Sequence, residues 1–188
     1  MGTTVAGTPV DRLAVAIRMR LGPGTRWRLR TYPARNAVEL IPDMPPTGDV
    51  VLAAITEDSL RDAVVSYARE RAAELHAPLR LVHVWTGHCR QIGGLRLLPE
   101  LPAHADLMLA AAARDGLTPV ERAAAERQIL HDEDPGTALR VLADHAGLLV
   151  VGAAADPVGS TTGALIGHTV CPLALVGYRP TGGVIGPS

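Results

Sequence analysis

Four short, almost unbroken apolar runs, at 50–55, 79–85, 148–152 and 173–176, constrain this chain more than any other feature. A strand that faces solvent on one side alternates apolar and polar residues. A strand buried on both faces reads as a continuous apolar run. The segments between the runs carry helical spacing. Asp58 or Ser59 can cap a helix reaching Leu75, with Ala63, Val64, Tyr67, Ala68 and Ala72 on one stripe before Pro78 ends it. A Gly- and Pro-containing loop at 86–103 precedes an Ala-rich helical stretch near 104–126, and 127–131 is a weaker strand. Residues 135–145 read as a helix, and 160–167 as a last helix leading into the closing strand. Strands alternating with helices predict an α/β domain with a mostly parallel sheet and no internal repeat.

The first 48 residues follow another pattern. Thr8-Pro9 offers an N-cap and a first-turn proline. Val10, Leu13, Ala14, Ile17 and Leu21 recur at helical spacing until Gly22-Pro23. Trp27, Leu29 and Thr31 then alternate with Arg26, Arg28 and Arg30, a period-two strand. Residues 33–36 read as a turn and 37–41 as a returning strand. The proline-rich segment 42–48 reads as a stiff linker, placing a boundary between residues 1–48 and 49–188. A helix and a hairpin bury too little to stand alone, so this extension is expected to pack on the main domain or on a second subunit.

Charge sharpens that division. Residues 1–48 hold seven Arg and three acids, a net of +4, whereas 49–188 hold 11 Arg and 16 acids, a net of −5. The total of −1 argues against a protein dedicated to polyanions. All 18 basic residues are Arg, which excludes Schiff-base chemistry and a Walker-type phosphate loop, since both need a lysine amine. No run approaches the ~18 apolar residues of a membrane span, no signal pattern opens the chain, and two cysteines cannot build a disulfide framework. A cytoplasmic protein with no membrane partner is the expectation.

In an open parallel sheet, ligands bind beyond the carboxyl ends of the strands, so the informative positions follow Ile55, Val84 and Val151. After Val151 comes Gly152, then a short loop to Gly159, Ser160, Thr161 and Thr162. A glycine-bearing loop that enters a helix presents N–H groups and hydroxyls suited to phosphate. The plainer alternative makes Gly152 a strand-end turn and Ser160 an N-cap.

At this point the sequence resembles the universal stress protein family over most of 49–188. Three stretches carry the resemblance: 77–85, then 134–152, and His168-Thr169-Val170-Cys171-Pro172 with the strand that follows. The resemblance implies a five-stranded parallel sheet of order 3-2-1-4-5 with helices on both faces, here with the helix–hairpin extension added. It also implies a homodimer built through the last strand. ATP-binding members carry Gly-x2-Gly-x9-Gly-Ser/Thr at the loop. Gly152 matches the first glycine and Gly159-Ser160 the last pair, but Ala155 stands at the second glycine and only six residues separate Gly152 from Gly159. Those members also carry an Asp where Thr56 falls here, and Val84 corresponds to a position whose backbone touches adenine. The resemblance therefore implies a candidate nucleotide notch of Ala54, Thr56, Val84, Val151, Gly152, Gly159, Ser160 and Thr161, with its phosphate half damaged. The expectation is a non-catalytic regulatory or stress-related module with weakened or lost ATP binding, acting through dimerisation and protein contacts. No cofactor is expected, ATP being the one small molecule in view. The alternative is a genuine ATP- or AMP-binding member with slow hydrolysis.

Other constellations are weaker. His83, His88 and Cys89 lie close together, and His168 precedes Cys171 by three residues, but neither group has zinc spacing and no metal site is expected. His168 and Cys171 read as packing residues, and Cys89 as a redox-sensitive thiol. Arg26, Arg28 and Arg30 could meet RNA phosphates or acidic groups on a partner. The plainer reading is a solvated face salt-bridged to the acidic domain, with nucleic-acid binding unexpected.

Overall fold

The structure is a computed structural model that describes residues 8–86, 91–92, 95–96, 102–153 and 158–177. The chain opens with helix α1 (Pro9–Leu21), strand β1 (Trp27–Tyr32), a 3-10 turn at Pro33–Arg35 and β2 (Ala37–Pro42). Then come β3 (Val50–Ala54), α2 (Arg61–Leu75), β4 (Leu79–Trp85) and a ribbon of two-residue strands, β5 (Gln91–Ile92) and β6 (Leu95–Arg96). It closes with α3 (Pro102–Gly116), α4 (Pro119–Ala124), β7 (Glu126–His131), α5 (Pro135–Ala143), β8 (Ala146–Gly152), α6 (Ser160–Leu165) and β9 (Leu173–Val176).

The main sheet has the order β1-β2-β9-β8-β3-β4-β7. Its last five strands are parallel and run in the expected 3-2-1-4-5 order when counted from β3. The expectation of a five-stranded parallel sheet is nonetheless corrected: the sheet is seven-stranded and mixed. β2 pairs antiparallel with β9, from Ala37 opposite Val176 to Leu40 opposite Leu173, and the Gly177 N–H donates to the Asn36 carbonyl at 2.8 Å. β1 then forms the new border. The reason lies in β2: Ala37, Val38, Glu39 and Leu40 are all buried, so both faces of this strand are covered by helical layers, as for an interior strand, and it lies between β1 and β9. The charge of Glu39 in mid-run disguised a central strand as a returning hairpin arm.

This pairing also bears on the dimer that the resemblance implied. The backbone groups along the free side of β9 are bonded to β2 of the same chain. A second copy cannot pair there while β2 stays in place.

Helices cover both faces. On one, α2 and α3 bury Val64, Val65, Tyr67, Leu109 and Ala113 against Val51, Ala53, Leu81 and Ala174. On the other, α1, α5 and α6 bury Leu13, Ile17, Leu139 and Leu165 against Leu40, Leu149, Leu173 and Leu175. α1 therefore extends the second layer over the two added strands. Its start follows the expected logic: the Thr8 hydroxyl accepts from the Asp11 N–H at 3.3 Å and the Asp11 carboxylate accepts from the Thr8 N–H at 2.9 Å.

Two element boundaries differ from expectation. α2 begins only at Arg61 with no side-chain cap, because the Asp58 carboxylate instead closes a turn onto the Leu60 N–H at 2.8 Å. The Ala-rich stretch breaks into α3 and α4, since Thr118 and Glu121 form a fresh capping box ahead of Pro119. The linker does not stand off as a spacer. The Thr47 hydroxyl donates to the Asp144 carbonyl, and Gly48 lies so close to the His145 carbonyl that no Cβ fits.

Candidate functional site

Strand register brings the predicted residues to one carboxyl edge. Ala54 is opposite Val82 on β4, and Ala53 opposite Val150 on β8, so Ala54 and Val151 end neighbouring strands. Thr56 follows just beyond β3, Val84 lies two residues past Val82, and Gly152 ends β8 beside Val176. β3 lies between β4 and β8, where the connections switch direction, the place at which an open α/β sheet forms its crevice.

A side chain from the β3–α2 turn reaches this edge at Gly152. The Thr56 hydroxyl donates to one Asp58 oxygen at 2.7 Å while the other Asp58 oxygen holds the Leu60 N–H. This brace delivers the Leu60 side chain onto Gly152. A Cβ added at Gly152 would lie 3.0 Å from the Leu60 Cβ and 3.1 Å from its Cδ1. The contact is apolar and tight. Sequence reasoning did not single out Leu60; it has the composition of an ordinary pre-helical residue, and only the turn aims it at the glycine.

The far side of the crevice is α6. Gly159 is its N-cap, exposed, at φ −60° and ψ 157°, and its carbonyl accepts from the Gly163 N–H at 2.8 Å. That φ is open to any residue, and a Cβ there meets nothing within 4 Å. Ser160 is exposed and Thr161 half-buried. Thr162, absent from the predicted set, is buried and donates its hydroxyl to the Gly152 carbonyl at 3.1 Å, tying α6 to the end of β8. Val151 is 4% exposed and packs in the α1/α5/α6 layer, so its side chain belongs to the core. Ala155, at the missing second glycine, lies outside the described residues.

Beside Val84, the Trp85 and His131 rings meet at the ends of β4 and β7, centroids 4.2 Å apart and tilted by 43°. His83 is buried, its Nδ1 2.8 Å from the Ile55 carbonyl. His88 and Cys89 lie outside the described residues. Among those described, no three His, Cys, Asp or Glu side chains come together to hold a metal. Cys171 is fully buried, and burial pushes its thiol up to about 12, as fits a packing residue. His168, expected to pack beside it, is exposed instead. No helix among the described residues is long and apolar enough to cross a membrane.

The basic extension docks through residues other than those expected. Arg28 and Arg30 share one exposed face of β1, and among the described residues neither reaches an acid of the main domain. Docking falls to Arg35, whose guanidinium meets Glu70 at 2.9 Å and Glu74 at 2.5 Å on α2. Deeper lies Glu39, 2% exposed, accepting from the Tyr67 hydroxyl at 2.9 Å, the Tyr32 hydroxyl at 3.0 Å and the Arg71 Nε at 2.8 Å. Every buried side-chain oxygen or nitrogen among the described residues has a partner.

A parallel 3-2-1-4-5 core whose connections switch direction between the first and fourth strands defines the class: an open, doubly wound α/β domain. The universal stress protein family model matches residues 49–177, and the chain belongs to that family. Solved structures agree on the fold. A universal stress protein from Archaeoglobus fulgidus in complex with dAMP superposes with a TM-score of 0.52 at 22% identity, over 71% of this chain and 98% of that one. A universal stress protein in complex with cAMP gives 0.51 at 20% identity, over 71% and 99%. A longer A. fulgidus universal stress protein, of which this chain spans 45%, matches over 70% of this chain at 17% identity with a TM-score of 0.49. No curated protein sequence matches.

Proposed function

We propose that this chain is a non-catalytic universal-stress-protein module whose nucleotide crevice is closed or much weakened, and which works through protein contacts. The observation that carries the reading is Leu60 seated on Gly152 at the strand switch. A nucleoside entering there must displace an apolar side chain held by the Thr56–Asp58–Leu60 turn. The Thr56 hydroxyl is already engaged, and a hydroxyl supplies fewer hydrogen-bond positions than a carboxylate. The loop from Gly152 to Gly159 is short, which reduces the number of backbone N–H groups available to phosphates. The division into a family domain at 49–188 and a basic extension at 1–48 belongs to the same reading. The hairpin takes the edge of β9, so self-association, where it occurs, uses another surface.

Calorimetric titration with Mg-ATP and with AMP tests this. The expected result is no saturable heat at millimolar nucleotide and no thermal shift. Micromolar binding that Gly159→Ala or Ser160→Ala abolishes would overturn it. Both positions are exposed, and an alanine at 159 meets no neighbour, so neither change disturbs the fold.

The second reading, a working nucleotide binder, is favoured by the fold neighbours solved with dAMP and cAMP. It requires Leu60 to swing away on binding, and Leu60→Ala distinguishes the two. Under the first reading saturable binding is seen only in the Leu60→Ala chain; under the second the unaltered chain already binds in the micromolar range and Leu60→Ala tightens it further.

A further inference from the structure

The outer side of β1 borders the main sheet, and no described strand pairs with it. In an antiparallel pair every second residue turns its N–H and C=O away from the partner, so this border offers a row of backbone donors and acceptors. Its two faces differ in character. One face carries Arg28 and Arg30, both exposed, with Arg26 just ahead of the strand. Among the described residues Arg26 and Arg28 have no side-chain partner, and Arg30 reaches only the Tyr32 hydroxyl at 3.4 Å. The other face carries Trp27 and Leu29, half-buried, which with Arg18, Leu21, Gly22, Pro23 and Thr25 line a cavity of about 440 Å³ under the end of α1.

We propose that the β1 edge binds an extended peptide of another protein in which acidic and apolar residues alternate. An added strand places successive side chains on opposite faces, within about 5 Å of its neighbour's side chains. Its acids would lie along Arg28 and Arg30, and its apolar residues beside Trp27 and Leu29 over the cavity. Main-chain bonds to the free side of β1 supply affinity, and the two faces supply specificity. The same arginines turn away a second copy of this chain. Two β1 edges paired with their helical layers aligned would set guanidinium rows against each other, which costs both partners. The occupant chosen by this charge pattern is thus an acidic strand. The inference is independent of the nucleotide crevice.

A short labelled peptide of alternating valine and glutamate, titrated into the full chain and read by fluorescence anisotropy, tests the proposal. Saturable binding is expected, weakened several-fold between ~50 and ~300 mM salt because the contacts are exposed charges. Arg28→Glu/Arg30→Glu should weaken it at least tenfold. Both side chains are exposed, so an unchanged circular dichroism spectrum confirms that the variant folds. A peptide N-methylated at every second residue, which cannot add to the edge, should not bind. The proposal is overturned if the valine–glutamate peptide fails to bind, if the double variant or the N-methylated peptide binds equally well, or if a valine–lysine peptide binds. It is also overturned if single-stranded RNA binds through these arginines while the valine–glutamate peptide does not.

Discussion

Three residues carry more of this structure than their sequence context suggests. Glu39 is a carboxylate inside a central strand, held by two tyrosine hydroxyls and the Arg71 guanidinium. Removing the carboxylate takes away the acceptor shared by Tyr67, Tyr32 and the Arg71 Nε in a buried cluster, so Glu39→Ala should cost about 3–5 kcal/mol in urea denaturation. Tyr67→Phe deletes a single donor and should cost about 1–2 kcal/mol. Burial, first, and the charge of Glu39, second, push the Tyr67 hydroxyl far above its ordinary range, which favours the protonated, donating form. Leu60 and Gly152 act as a pair. Gly152→Ala should destabilise by about 1–3 kcal/mol because the new methyl meets Leu60. Combined with Leu60→Ala the penalty should fall only in part, because the Leu60 Cβ, the nearest atom at 3.0 Å, remains while Cγ and Cδ1 are removed, and a double-mutant cycle by chemical denaturation measures that coupling. The candidate site was half legible in the sequence at this scale. Gly152, Gly159 and Ser160 sit at a strand end and a helix start, which local pattern reveals. Leu60 was missed, and Thr162, read as a hydroxyl suited to phosphate, bonds the Gly152 carbonyl instead, because such partners are fixed by turns and packing and not by spacing.

The helix–hairpin extension is the element whose role changed most. Read along the chain it is a basic annex; in the fold it supplies two strands and one helix of a single sheet with two layers. β2 buries Val38 and Leu40 at 0% exposure between β1 and β9. Leu40→Ala should therefore behave as a core substitution, costing about 2–5 kcal/mol, where a hairpin arm facing water would lose far less. Deleting residues 1–48 would strip β9 of its neighbour and uncover the apolar surface beneath α1. The truncated chain should self-associate or aggregate, visible as a mass increase in light scattering, since an unpaired apolar strand is a template for further pairing. A truncated chain that remained a stable monomer would count against this. The element types were mostly readable, α1 and both hairpin strands included. The break between α3 and α4 was readable in principle, because Thr118-Pro119 with Glu121 is a capping box inside the Ala-rich stretch.

Across the whole molecule the charge separation of +4 and −5 is bridged by Arg35, which meets Glu70 and Glu74 on α2, while the Arg71–Glu39 pair joins the two parts with the opposite polarity. Several acids titrate low. Glu74 is lowered chiefly by its hydrogen bonds from Arg35 and Arg71, Glu121 by Thr118, Asp134 by Thr137 and Asp11 by Thr8. A carboxyl group depressed on folding contributes stability that is present above its unfolded value and is lost as pH falls through its folded value. Stability should hold through neutral pH and decline below about pH 4, and thermal unfolding at stepped pH checks this. A maximum lying in the acid range would contradict it. The sequence by itself determined the alternation of buried strands and helices, hence the parallel core and its order once the family resemblance was in view. It also pointed to the strand ends where a candidate site would lie, because continuous apolar runs report burial on both faces and glycines report turns. Only the tertiary structure decided that β2 joins the edge of β9, that Leu60 lies on Gly152 and that β1 forms one border of the sheet, opposite β7. The physical reason is shared: backbone hydrogen bonds between strands are blind to side-chain identity, and a contact between residues far apart in the chain is selected by the packing of the whole and not by any local pattern.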